Sequence, residues 1–124
     1  MFKSKKCIYS FEKLEVWKES IKLVEMIYVL TNNLPENEKF GLVSQLRRAT
    51  ISISSNLAEG TYRSADKDKA HYRTIAYSST MEILNQLIIS KELKFINEKS
   101  YLETREHIYK ISNMLNALRK SQLK

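Results

Sequence analysis

Thr74-Ile75-Ala76-Tyr77-Ser78-Ser79-Thr80-Met81-Glu82-Ile83-Leu84-Asn85-Gln86-Leu87-Ile88-Ile89 carries a single charge, Glu82, and no glycine or proline. A breaker-free run of this length is too long for one strand and reads as a helix. Turning it at about 100° per residue puts Ala76, Ile83 and Leu87 on one face and Tyr77, Met81, Leu84 and Ile88 on a second. Ile75, Ile89 and Leu93 fall on a third. A helix apolar nearly all round has to be covered nearly all round. Neighbours within one small chain leave part of such a helix facing water, so the remaining cover is expected from another subunit. Tyr77, Met81, Leu84 and Ile88 are the candidate contacts here, with Ile51 and Ala58 on the preceding segment. The alternative is a helix sunk deep in its own bundle, with Glu82, Asn85 and Gln86 as a narrow wet edge.

Outward from this stretch, the 124 residues contain only two glycines and one proline, too few turns for a multi-stranded sheet. The expectation is all-α. Asn32, Asn33 and Pro35 end a first segment, Gly60 a second, and Lys94 to Asn97 part the third from a fourth. Four segments of about 18 to 28 residues are ordinary for a helical bundle, here one that self-associates. Ser64 before Asp66 and Asp68, and Asn97 before Glu98, read as helix caps. The first helix shows Leu14, Trp17, Ile21, Val24 and Tyr28 as its apolar stripe. In the fourth the stripe is Tyr101, Ile108, Ile111, Leu115 and Leu118. The second sets Leu42, Val43, Leu46, Ala49, Thr50, Ile53 and Leu57 against a polar stripe of Gln45, Arg48, Ser52, Ser55, Asn56 and Glu59. Phe40, Ile51 and Ala58 form a weaker apolar strip. Residues 1–10 read as a basic arm and residues 11–124 as one four-helix-bundle domain.

Several chemistries are disfavoured by composition. Cys7 is the only cysteine, so no intramolecular disulfide forms. A bundle di-iron site needs repeated Glu-x-x-His pairs. Glu103 stands four residues before His107, Glu106 immediately before it, and no Glu stands three before His71. No phosphate-binding glycine loop, nucleophile elbow or Ser-His-Asp arrangement is legible. No catalytic residue, metal, cofactor or small-molecule substrate is expected, and the chain reads as non-enzymatic. Without a run of about eighteen apolar residues or an apolar leader it reads as cytoplasmic, with no membrane partner.

The polar stripe Gln45, Arg48, Ser52, Asn56 and Glu59, with Glu82 facing it, has two readings: the lining of a pore, or a hydrogen-bond network between helices or subunits. The network is favoured, with Glu82 a candidate partner for Arg48, because an uncompensated charge there is costly. Charge supplies the functional expectation. Lys and Arg number 21 against 14 Asp and Glu, a net +7, and the excess sits largely at segment ends. Lys91, Lys94, Arg119, Lys120 and Lys124 stand where cations favour helix C-termini. Repeated around an oligomer, the same charges with Lys3, Lys5 and Lys6 would make a basic face suited to phosphate backbones, reading shape and charge more than bases.

Three motifs carry a family resemblance. Phe11-Glu12-Lys13-Leu14-Glu15-Val16-Trp17, Phe40-Gly41-Leu42 leading into Ser44-Gln45-Leu46-Arg47-Arg48-Ala49, and Ser55-Asn56-Leu57-Ala58-Glu59-Gly60 resemble the 23S ribosomal RNA intervening-sequence proteins. The likeness runs from Phe11 to the C-terminus. Thr50 departs from a usual small apolar residue, and Thr61-Tyr62 replaces a glycine-containing turn. The resemblance implies a bacterial, antiparallel up-and-down four-helix bundle assembling as a homopentamer, encoded within 23S rRNA gene insertions or at unrelated loci, with no settled biochemical role. By analogy with the related accessory protein of diversity-generating retroelements, association with RNA or nucleoprotein is expected. Lys3, Lys5, Lys6, Arg47, Arg48, Arg119 and Lys120 are the nucleic-acid-binding candidates. The rival reading is a protein-interaction scaffold that does not touch nucleic acid.

Overall fold

A computed structural model describes residues 7–122. Among them are four α-helices and no strand: α1 Glu15–Thr31, α2 Ser44–Thr61, α3 Asp66–Glu92 and α4 Glu98–Gln122. Lys3, Lys5, Lys6 and Lys124 lie outside the described residues, as do the first six positions of the expected basic arm. A 3-10 turn, Ser10–Lys13, leads into α1, and the α1–α2 connection winds through a second 3-10 turn, Glu36–Glu38, and a π-helical turn, Lys39–Val43.

Packing at the bundle axis explains the order of the helices. Leu23 and Ile27 of α1, Leu46, Ile53 and Leu57 of α2, Ile83 and Leu87 of α3, and Ile108, Ile111 and Leu115 of α4 are all fully buried. Each such side chain contributes roughly 1.5–3 kcal/mol of apolar transfer free energy, which makes this axis the main source of stability. Cross-helix pairs give the directions. Gln45, Arg48 and Ser52 of α2 bond to Gln86, Glu82 and Ser79 of α3, so positions rise along one helix as they fall along the other. Lys91 lies over Tyr101 and Arg119 over Tyr77, which sets α3 against α4 in the same opposed sense. Consecutive helices are therefore antiparallel. One end of the bundle gathers the start of α1, the end of α2, the start of α3 and the end of α4.

Local signals and structure agree at one cap and part at another. Asn97 Oδ1 accepts the Ser100 backbone N–H at 2.8 Å, as an N-cap should. The residue preceding α3 is Ala65, with no side-chain cap bond, so Ser64 does not cap it. Asp66 and Asp68 in the first turn supply the negative charge that end favours. At the end of α3, Lys94 has φ 64°, and the Phe95 N–H reaches back to the Ser90 carbonyl at 2.9 Å. That pairing closes the helix as a Schellman turn.

Three expectations need correction. On α1 the buried strip is Val16, Glu19, Ser20, Leu23, Ile27, Leu30 and Thr31. The stripe read from the sequence is Leu14, Trp17, Ile21 and Val24, all half-buried, with an exposed Tyr28. α1 has two apolar strips, and the polar Glu19 and Ser20 disguise the one that faces the core. On α2 regular helix starts at Ser44 rather than near Phe40, because backbone at Gly41 leaves the helical region. Phe40 is consequently thrown outward, 89% exposed. On α3 a single chain hides more apolar surface than expected. Tyr77, Leu84 and Ile88 pack partly against the core, Met81 is half-buried, and the large exposed apolar residues are Ile89 and Leu93. α2 and α4 cover its two flanks, and its outermost positions include Ser78 and Asn85.

Candidate functional site

Three groups of polar or aromatic side chains stand out, and each is positioned by the bundle in a different way. The first is the seam between α2 and α3. Arg48 Nη2 lies 2.7 Å from Glu82 Oε2, and Gln86 Nε2 donates to Glu82 Oε2 at 3.1 Å and to Gln45 Oε1 at 3.2 Å. Ser52 and Ser79 hydroxyls meet at 2.9 Å, and Asn56 Nδ2 donates to the Ser52 carbonyl at 2.8 Å. Four of the stripe residues, Gln45, Arg48, Ser52 and Asn56, thus bond laterally, with Glu82 facing them. Glu59 is exposed and takes no part in these bonds. The seam knits two helices of one chain, an arrangement that supports the network reading of these side chains.

The second group surrounds Glu19, whose side chain is only 8% exposed on the face between α1 and α4. Lys22 Nζ is at 3.1 Å and Lys110 Nζ at 3.3 Å. His107 Nε2 donates to the Glu19 backbone carbonyl at 2.9 Å and stands 3.5 Å from its carboxylate. The hydrogen bond from Lys22 holds the Glu19 carboxyl below the usual carboxylate range, against the opposing cost of burial, with Lys110 adding to the same effect. Sequence reading left Glu19 on the wet side of α1 because only its own helix was in view. Among the described residues no cluster of three or more His, Cys, Asp or Glu could hold a metal ion.

The third group caps the end of the bundle where α2 turns into α3. Phe11 lies at its centre. Trp17 meets it edge-on with ring centres 5.2 Å apart, Tyr62 meets it edge-on at 6.4 Å, and Tyr9 lies near-parallel at 6.4 Å. Tyr9 and Tyr62 are exposed by 62% and 58%. Beside them the Arg63 guanidinium stacks on Tyr72 at 4.8 Å and bonds its hydroxyl, and His71 stands edge-on to the same ring. Gly60 permits this closeness. A Cβ there would sit 2.7 Å from Tyr72 Cβ and 2.6 Å from Arg73 Nη1. Arg73 itself is buried, donating to the Leu57 carbonyl at 3.4 Å with no carboxylate partner among the described residues. Burial holds its guanidinium below the usual range.

Charge is uneven along the bundle. Around this aromatic end, Lys13, Arg63, Lys67, Lys69, Arg73, Arg119 and Lys120 face five carboxylates, Glu12, Glu15, Glu59, Asp66 and Asp68. The opposite end has five cations, Lys39, Arg47, Lys91, Lys94 and Lys99, against four carboxylates, and the shaft between has five of each. Among the described residues the net charge is +2 at the aromatic end, +1 at the opposite end and zero along the shaft.

The remaining cations singled out from the sequence are placed as follows. Arg47 lies 4.3 Å over Tyr28 and donates to Thr31 Oγ1 at 2.9 Å and Asn32 Oδ1 at 3.0 Å, pinning the end of α1. Arg48 belongs to the seam. Arg119 is half-buried over Tyr77, 4.6 Å from the ring centre, and donates to Asn116 Oδ1 at 2.7 Å. Lys120 is exposed. Of the apolar candidates, Tyr77, Met81 and Leu84 line a cleft between α3 and α4 closed on its other side by Ile108 and Tyr109. Ile88 and Ala58 are half-buried, and Ile51 is 43% exposed. Among the described residues no helix is long and apolar enough to cross a membrane.

Fold and charge together define a small basic four-helix-bundle protein. Residues 12–117 match the family model of the 23S rRNA-intervening sequence proteins, and the chain belongs to that family. A crystal structure of a protein with unknown function, from the S23 ribosomal protein family of Bacteroides thetaiotaomicron VPI-5482, shares the fold with a TM-score of 0.78. The likeness spans 85% of this chain and 95% of that one at 22% sequence identity. No curated protein matched the chain.

Proposed function

We propose that this protein associates with RNA, or with a nucleoprotein, through its basic end, acting as a cytoplasmic homo-oligomer that performs no chemistry on its ligand. The carrying observation is the net +7 of the chain together with the exposed cations Lys13, Arg63 and Lys67 where α2 turns into α3 and Lys120 at the end of α4. Clustered exposed cations concentrate positive potential, and a phosphate backbone is the common polyanion that such a potential recruits by releasing its counterions. Arg47 and Arg48, engaged with neighbours in their own chain, contribute less to this reading than Lys13, Arg63, Lys67 and Lys120 do.

Oligomerisation is supported by the second apolar strip of α1. Leu14, Trp17, Ile21 and Val24 remain half-buried beside the exposed Tyr28 and Ile51, surface that a second copy would cover. Repetition of the basic end around a ring, a pentamer being the favoured size, would multiply phosphate contacts. The test is a salt titration of binding to ribosomal RNA fragments. Phosphate contacts predict a linear fall of log affinity with log salt, about 0.7 to 0.9 per phosphate neutralised. Absence of binding at low salt overturns the reading and leaves a protein-interaction scaffold, which the same exposed apolar strip would serve.

A further inference from the structure

We propose that the aromatic end of the bundle is a stacking platform for unpaired nucleotides, so that the ligand of the basic end is single-stranded RNA rather than a duplex. This rests on the reading of that end as RNA-binding and adds the form of RNA it selects. Two tyrosines flank Phe11, and both stay open to solvent at 62% and 58%. Phe11 and Trp17 behind them are half-buried and hold the outer rings in place. An exposed ring braced by a half-buried one loses less freedom on binding than an unsupported ring, which makes it an efficient stacking surface.

Beside these rings, the exposed Arg63 lies over Tyr72, its guanidinium carbon 4.8 Å from the ring centre, a group of the kind on which bases stack. Lys13 follows Phe11 by two residues, and Lys67 and Lys69 follow Arg63 within two turns of α3. Aromatic faces interleaved with cations are the two components of single-strand binding: the cations track the backbone while the rings take the bases. A duplex keeps its base faces stacked on one another and offers these rings nothing. Charged side chains of both signs around the rings, with cations in excess, also disfavour a purely apolar protein partner.

The experiment uses the full chain, a 20-nucleotide fluorescein-labelled oligouridine and a blunt 20-base-pair A·U RNA duplex, followed by anisotropy at low salt. Trp17, the only tryptophan, gives a second readout, because a base stacked on the adjoining rings alters its emission. Tighter binding of the single strand is expected. Tyr9→Ala and Tyr62→Ala, both at exposed positions, should each weaken single-strand binding about 5- to 150-fold and leave duplex binding unchanged. Tyr62→Phe, which keeps the ring, should retain wild-type affinity. Equal affinity for the two forms, or alanine variants that match the wild type on oligouridine, overturns the platform while leaving RNA binding intact. No binding of either RNA at low salt overturns both proposals, and an acidic protein then becomes the partner of this end.

Discussion

Lys94 and Glu19 show how single residues are set by surroundings that their neighbours in sequence do not reveal. Lys94 occupies the left-handed region at φ 64° where α3 stops, a conformation that is costly for a side chain bearing a Cβ. Lys94→Gly should raise stability by up to about 1 kcal/mol, read as a higher urea midpoint at unchanged slope. Glu19 is held ionised by Lys22 and Lys110 in the fold, and its lowered proton affinity has a direct consequence for acid stability. A carboxyl bound more weakly to its proton when folded contributes stability that is present above its unfolded pKa and lost as pH falls through the folded value. The loss begins as pH drops below about 4. Glu19→Gln should cost about 1 kcal/mol at neutral pH, since both lysines are more than half exposed, and should flatten the decline in melting temperature between pH 5 and pH 2. An equally steep decline in the variant would assign the acid sensitivity elsewhere.

Among the helices, the contact between the end of α2 and the start of α3 depends on one absent side chain. Gly60 lies within α2, where alanine favours helix by about 1 kcal/mol. Space reverses that preference. Tyr72 Cβ is attached directly to the α3 backbone, so the 2.7 Å approach cannot be relieved by a rotamer change alone. Forcing a methyl group into a packed contact costs typically 1–3 kcal/mol. Gly60→Ala should therefore lower stability by about 1 kcal/mol net, measured by thermal or urea unfolding, and a stabilised variant would refute the close approach. The choice of buried strip on α1 belongs to this scale as well. Periodicity showed that α1 is amphipathic but ranked its strips by their own hydrophobicity. The strip bearing Glu19 and Ser20 won because α4 supplies Lys110 and His107, and because the Ser20 hydroxyl turns back to the Trp17 carbonyl at 2.6 Å.

For the whole molecule, the distribution of surface decides what an assembly would look like. Exposed apolar residues lie on α1 and α2, at Tyr28, Val29 and Ile51, as well as on α3, at Ile89 and Leu93. If self-association uses the α1–α2 side, Ile51→Lys should shift light-scattering mass toward the monomer while leaving helix content unchanged. Ile89→Lys serves as the comparison on the α3 side, and a mass moved by Ile89→Lys alone would place the interface on α3. The grouping of exposed cations also belongs to the whole molecule. Lys13, the Arg63–Lys67 pair and Lys120 are far apart in sequence, and only the antiparallel order of four helices brings them to one end.

The scarcity of glycine and proline, the long run of α3 with its single charge, and the caps and breaks near Asn32, Gly60 and Asn97 were enough by themselves to determine four helices, their order and the buried strips of α2 and α4. These follow from local propensity and periodicity, which are properties of neighbouring residues. Tertiary structure alone decided which strip of α1 faces inward, how much of α3 one chain covers, that Arg47 is spent on Tyr28 and Thr31, and that Tyr9, Phe11, Trp17 and Tyr62 meet around a basic end. Those outcomes depend on contacts between segments separated by many residues, where the balance of burial, pairing and space is struck between side chains that no local pattern relates.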